Sequence, residues 1–164
     1  MSDQGLQIVA DHLAVSLARD NLVQTTTDNL RNLLQVDRVV LYYFYYKWKG
    51  RVTFESLSSE EFSIFGSTGP DECFNQQYAA MYEAGRVRAI PDIDAEPITD
   101  CHRDFLRSLG VRANLAMPIL NQKGLWGLLI AHHCQDTRSW SDLNVEAMQK
   151  AAKSLAQASS IRGS

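Results

Sequence analysis

No apolar run in this chain reaches the roughly 18 residues of a membrane-spanning helix, and residues 1–20 lack the basic start and continuous apolar centre of a signal peptide. The expected compartment is therefore the cytoplasm, with no membrane contact. Cysteine is scarce: Cys73, Cys101 and Cys134 are too few and too scattered for a disulfide framework. No CxxC pair suggests a structural zinc site, so no metal is expected. No basic block exceeds a few residues, and 16 Lys and Arg are mixed with 19 Asp and Glu to a net charge of −3. That balance argues against extended contact with a phosphate backbone, and hence against a nucleic-acid partner. There is no GxxxxGK[ST] run, no HExxH and no nucleophile elbow, and "GSTGP" lacks the strand and helix that a phosphate loop requires. A cysteine protease or transferase would need a histidine base and an orienting Asp or Asn around its thiol, and the ring of a sequence neighbour such as His102 need not reach the thiolate of Cys101. The chain is expected not to be an enzyme.

What is present is one soluble domain's worth of sequence, 164 residues with 45% hydrophobic and 21% charged. Apolar spacings of three and four predict a helix over 6–19, with Leu6, Val9, Ala10, Leu13, Leu17 and Ala18 as its stripe. A second helix is predicted over 22–34, with Leu22, Thr26, Leu30, Leu33 and Leu34 inward. "RVVLYYFYYKWKG" then turns β-branched and aromatic, and with "RVTFESLS" reads as an antiparallel hairpin. From Ser58 to Thr99 lie about forty residues of loops and short elements, with "CFNQQYAAMYEAG" good for about three helical turns. Such connections, when they carry many aromatics, are more often binding walls than idle linkers. A short helix over 101–109, capped by Asp100 and closed by Gly110, precedes a second hairpin, "VRANLAMPIL" and "GLWGLLIAHHCQ" around "NQKG". A closing helix is capped by Ser141, with Leu143, Ala147, Met148, Ala151, Leu155 and Ala158 as its apolar face. The order predicts an α+β fold: a central antiparallel sheet with the terminal helices on one face and the irregular crossover on the other. A ligand would fit between sheet and crossover.

Three groups of residues can carry chemistry. Cys101 at the start of a helix sees the positive end of the helix dipole, which favours thiolate, and His102 beside it can stack on a ligand or donate to it. The plainer reading is a half-buried thiol beside a surface histidine. Asp71 and Cys73 follow Gly69-Pro70; Asp71 either caps a helix or faces a ligand together with Cys73. His132 and His133 lie at the end of an apolar strand, where alternation sends them to opposite faces, one inward. Adjacent imidazoles on a strand do not readily share a metal, and a lone inward histidine is commonly a satisfied core residue. Cys134 has nothing around it that would activate a thiol.

Taken together, "DECF" at Asp71–Phe74, "CH" twenty-eight positions on, "ANLAMPI", "LWGLLIAHHC" and "RSW" resemble the GAF domains of phytochrome-related photoreceptors. "DECF" resembles the Asp-Xaa-Cys-Phe signature of one class of cyanobacteriochromes, and the likeness runs from about Leu6 to Ala158. The resemblance implies a single GAF domain over 1–164, core about 6–158, cut from a larger multidomain sensor. Its cofactor would be a covalent linear tetrapyrrole, phycocyanobilin or its isomer phycoviolobilin. Cys101 would form the thioether to ring A, with His102 beside the chromophore. Asp71 would accept from pyrrole nitrogens, and Cys73 would add reversibly to the methine bridge between rings B and C. His132 would lie toward the far end of the chromophore, Arg112 would contact a propionate, and Phe62, Phe74 and Tyr82 would pack on the rings. A thiol added at the central bridge cuts the conjugated system in two. The implied function is reversible photoconversion, by 15Z/15E isomerisation, between a violet- or blue-absorbing and a green or teal state. Glu72 beside Cys73 departs from a neutral pattern and would disfavour its thiolate. Implied partners are output domains of a parent protein, a kinase, cyclase or methyl-accepting region, and a second copy through the terminal helices. The competing reading is a GAF module without chromophore that binds a cyclic nucleotide or mediates dimerisation.

Overall fold

The computed structural model describes residues 3–69 and 76–164. Helices α1 (Asp3–Ala18) and α2 (Asn21–Leu34) lead into strands β1 (Arg38–Tyr46) and β2 (Lys49–Leu57). The crossover holds a 3-10 turn at Glu60–Phe62, helix α3 (Gln76–Glu83), strand β3 (Arg88–Ile90) and helix α4 (Asp100–Ser108). Strands β4 (Ala113–Asn121) and β5 (Gly124–His133) follow, then helices α5 (Asp142–Ala156) and α6 (Ser159–Arg162). The five strands form one antiparallel sheet in the order β2-β1-β5-β4-β3. The expected layering holds, with α1, α2 and α5 against one face of the sheet.

Period-two alternation divides the sheet cleanly. Val39, Leu41, Leu115, Met117 and Leu129 enter the core shared with the helices. The intervening residues face the crossover in rows fixed by strand register: Arg38–His132–Asn114, then Val40–Ile130–Ala116, then Tyr42–Leu128–Pro118.

Several expectations are corrected here. The inward face of α2 is Val23, Thr27, Leu30 and Leu34: Leu30 and Leu34 were expected, Val23 and Thr27 stand in place of Leu22 and Thr26, and Leu33 is 65% exposed. Thr27 is tolerated inside because its hydroxyl donates to the Val23 carbonyl, 2.8 Å away. On α1, Val9 and Ala18 face solvent, leaving Ala10, Leu13 and Leu17 inward. Leu143, 75% exposed, is not part of the α5 face, and the closing helix breaks after Ala156 to restart as α6. Ser141 does cap α5, through a reciprocal pair with Asn144. The short helix is capped not by Asp100 but by Thr99, whose hydroxyl accepts from the His102 N–H at 3.3 Å. Asp100 is its first residue, ion-paired with Arg103. Strand β3 was not expected at all; it is three residues long and stops at Pro91.

Candidate ligand site

The crossover is tied down at both of its described ends. On the β2 side, Glu55 accepts from the Ile64 N–H at 2.9 Å and from the Ser63 hydroxyl, while Val52 and Ser67 pair main chains. Tyr42 Oη accepts from the Gly69 N–H at 2.8 Å. On the far side, Ile90, Ile93, Leu106 and Val111 form a small core that seats α4 against the sheet edge. Arg103 fastens the preceding loop by donating to the carbonyls of Ile93 (3.0 Å) and Glu96 (2.7 Å). Gly110, at φ +75°, makes the left-handed exit that lets the chain turn from α4 into β4. The segment bearing Cys101 and His102 is thus held over the sheet rather than left as a surface loop.

Between them lies a cavity of about 40 Å³. Its floor is made by successive rows of sheet residues, among them His132, Asn114 and Ile130, and its roof includes Tyr78, Tyr82 and His102. Tyr78 sets its ring edge-on to His102, centroids 5.8 Å apart, and stands 5.6 Å from Tyr82. Arg86 lies over both tyrosine rings, 5.2 and 5.8 Å from their centroids. Arg88 pairs with Ala116 across β3 and β4, which puts it on the ligand face.

Burial sets the electrostatics. His102 is pushed down to about 4, first by desolvation and then by the charges of Arg88 and Arg86. His132 is held well below the ordinary histidine range, by burial and by Arg38. Both imidazoles are neutral at pH 7. Burial also raises the phenol of Tyr82, and that of Tyr78.

Of the residues singled out from sequence, His102, His132 and Tyr82 meet at the cavity. Cys101, one residue before His102, is half-buried and disulfide-bonded. Asp71, Glu72, Cys73 and Phe74 all lie outside the described residues. Phe62 and Arg112 do not line the cavity. The carbonyl of Phe62 instead receives Arg38 at 2.8 Å, and Arg112 sits beside β5, its N–H bonded to the His133 carbonyl. Phe65, another crossover aromatic, faces α1 in a separate groove and is exposed. His133 lies opposite Ala113, across the sheet from His132, as alternation requires. Cys134 is a free thiol whose pKa burial raises, in keeping with an inert role.

Sequence reasoning missed Arg38, Tyr42, Arg88 and Asn114. The register of β1 with β5 and of β4 with β5 carries three of them. Counting in twos from His132 along the paired strands would have found Asn114 and Arg38.

A GAF domain family model matches residues 18–158. The chain is 50% identical over 156 residues to an uncharacterized protein of Picosynechococcus, a match covering 95% of this chain and 96% of that one. It is 33% identical to a putative methyl-accepting chemotaxis protein of Synechocystis, over 82% of this chain and only 13% of that protein. Among solved structures it is similar to the blue-light absorbing form of the Thermosynechococcus elongatus PixJ GAF domain. That match has a TM-score of 0.72 and 34% identity over 80% of this chain and 82% of the other. It is also similar to the phycocyanobilin-bound GAF domain of a cyanobacterial phytochrome, with a TM-score of 0.73 and 28% identity over 92% and 91% of the two chains.

Proposed function

The chain belongs to the GAF domain family, and from that premise we propose that it is a bilin photoreceptor domain which carries a linear tetrapyrrole between sheet and crossover. The observation that carries this reading is the placement of α4. It puts His102 in the lining of a cavity whose floor is largely apolar apart from His132 and Asn114, and Cys101 is the residue before it on the same helix.

Cys101 is the attachment residue. Its thiol adds across the exocyclic double bond of ring A, the sulfur bonding to carbon and the proton completing the neighbouring carbon, so no oxidant or leaving group is needed. The disulfide-bonded form of Cys101 cannot do this, and uptake requires the thiol. His102, neutral and backed by Tyr78, stacks on or donates to the pyrrole system. Arg88, with Arg86, replaces Arg112 as the propionate contact, because Arg88 stands on the ligand face. A tetrapyrrole needs a pocket of several hundred Å³, far above the 40 Å³ present. On this reading uptake requires the roof of the cavity to give way over the sheet.

The finer assignment is the Asp-Xaa-Cys-Phe class, with Asp71 as acceptor from the pyrrole nitrogens and Cys73 as the reversible second thiol. It rests on "DECF" in the sequence and is supported by likeness to a blue-light absorbing relative. On this assignment 15Z/15E isomerisation converts a violet- or blue-absorbing state to a green or teal one, with phycocyanobilin or phycoviolobilin as chromophore. The likeness to part of a chemotaxis protein supports an output region coupled through the terminal helices in a larger sensor. Exposed Ile8, Val15 and Leu33 on those helices support pairing with a second copy.

Co-expression with enzymes that make phycocyanobilin tests the reading. A coloured, light-switchable protein is expected. A colourless protein that binds a cyclic nucleotide would establish the competing GAF function instead.

A further inference from the structure

Arg38 opens β1, yet it is only 2% exposed, and among the described residues no carboxylate pairs with it. Its neighbour Asp37 directs its carboxylate elsewhere, to the Cys134 N–H at 2.6 Å and the Gln135 amide at 2.8 Å. The guanidinium is held instead by neutral groups from three separate segments. Nε donates to His132 Nδ1 on β5 at 2.9 Å, Nη1 to the Phe62 carbonyl at 2.8 Å, and Nη2 to the Leu109 carbonyl. A buried cation without a counter-ion depends on every such bond, and the planar fork of arginine fixes their directions as well as their lengths.

Two of these acceptors end elements of the crossover. Leu109 caps the C-terminus of α4, where carbonyls lack helical partners and carry the negative end of the helix dipole. Phe62 closes the 3-10 turn Glu60–Phe62. One side chain therefore joins the helix whose first turn carries Cys101 and His102 to the segment that leaves β2. From Phe62 the connection runs on toward α1. Ser63 and Ile64 donate to Glu55 on β2, and Gly66 and Ser67 pair with the Val52 main chain. Phe65, in the same segment, lines a groove with Ala14, Val15 and Ala18 of α1. On β2, Arg51 donates to Gln7 of α1 at 3.0 Å and pairs with Asp11.

We propose that Arg38 is a coupling latch, which passes a displacement of α4 at the ligand site to residues 62–67 and through them to α1. Shifting α4 withdraws the Leu109 carbonyl from Nη2. The buried fork then has to turn to satisfy that donor, and turning it takes Nη1 away from Phe62. The two bonds are kept or lost together, which gives the two segments a shared two-state contact. Transmission of a light signal by this latch rests on the bilin reading above; the linkage between the two segments does not.

Amide exchange tests the latch, first in the chain without bilin. L106A loosens α4 in its small core with Ile90, Ile93 and Val111, and should raise exchange of the Ile64, Gly66 and Ser67 amides about ten-fold. T99A, which removes the α4 cap, should raise it about three-fold. The α5 amides, which Arg38 does not hold, should stay within two-fold. In R38K, which keeps the charge but not the fork, and in R38M, adding either change should move the 64–67 amides by less than two-fold. Unchanged 64–67 exchange in both L106A and T99A overturns the proposal without any Arg38 variant, and an undiminished response in R38K overturns it as well. The second arm attaches phycocyanobilin and compares exchange in α1 before and after illumination. The parent should show a difference that R38K loses while still photoconverting; a difference retained in R38K overturns transmission to α1. If no bilin attaches, the proposed function falls, and the bilin-free comparison still decides whether Arg38 links the two segments.

Discussion

The carboxylate of Asp20 accepts from Ser160 twice, from its hydroxyl at 2.7 Å and its N–H at 3.2 Å, while also capping α2 through the Leu22 and Val23 N–H groups. One side chain thus closes the start of α2 and holds α6, residues far apart in the chain. Burial alone would raise the Asp20 carboxyl, but the hydrogen bonds from Ser160, Val23 and Leu22 outweigh it and hold the pKa below the usual range.

Replacing Asp20 with alanine should cost about 1–2 kcal/mol in urea unfolding, the loss of a cap and of the α6 tether. D20N, which keeps the cap geometry, should lose less. Because the folded pKa is depressed, the Asp20 contribution is present above the ordinary carboxylate pKa and fades as pH falls through the folded value. Equal stabilities for parent and D20A at pH 7 would show that the contact contributes nothing.

A larger acid effect comes from His102. Its folded pKa, about 4, lies below its unfolded value near 6.5. Below pH 6.5 the unfolded chain takes up a proton that the folded site refuses. Stability is therefore full above pH 6.5 and falls progressively toward pH 4, by on the order of 3 kcal/mol. His132 acts in the same direction. Chemical denaturation across pH 4–8 should show this slope, and H102F should flatten it. An H102F profile parallel to the parent would assign the acid sensitivity elsewhere.

Gly127 permits the close approach of β1 to β5. A Cβ there would stand 2.1 Å from the Tyr42 carbonyl oxygen, main-chain atoms that cannot swing aside. G127A should cost about 3 kcal/mol and, because Tyr42 lines the cavity, should also slow bilin uptake. Gly163, with open space around its Cβ position and φ −103°, is the control. G163A should stay within about 0.5 kcal/mol.

Cys73 answers to absorption spectroscopy. C73A should retain the chromophore through Cys101 yet lose the violet- or blue-absorbing form, since no second thiol remains to interrupt conjugation. If Glu72 suppresses the thiolate, E72Q should speed recovery of that form. A blue-absorbing dark state that persists unchanged in C73A removes the two-thiol mechanism.

The layer order was readable from the sequence because two long apolar hairpins and three amphipathic helices leave few alternatives. Finer points were lost where two physical signals compete. On α2, Leu33 outranks Thr27 on any hydrophobicity scale, yet a threonine that satisfies its own hydroxyl on the helix can be buried in its place. Strand β3 is too short for alternation to register, and its pairing with β4 is a long-range fact. Thr99 and Asp100 are both good caps, and only the backbone decides between them. Arg38 opens a strand, where a charge normally reads as surface. Its burial depends on carbonyls from Phe62 and Leu109 that no local window contains. For the site, "CH" and the inward His132 were legible, whereas Asn114 and Arg88 required the strand register.

Covalent attachment of the bilin at Cys101 answers to one experiment. Reduced parent chain and C101A are each incubated with phycocyanobilin, denatured in acidic urea, and read by visible absorption and intact mass. One bilin per parent chain, surviving denaturation, and none on C101A is the expected result. A C101A chain that keeps full covalent bilin, or a reduced parent chain that acquires none, would contradict it.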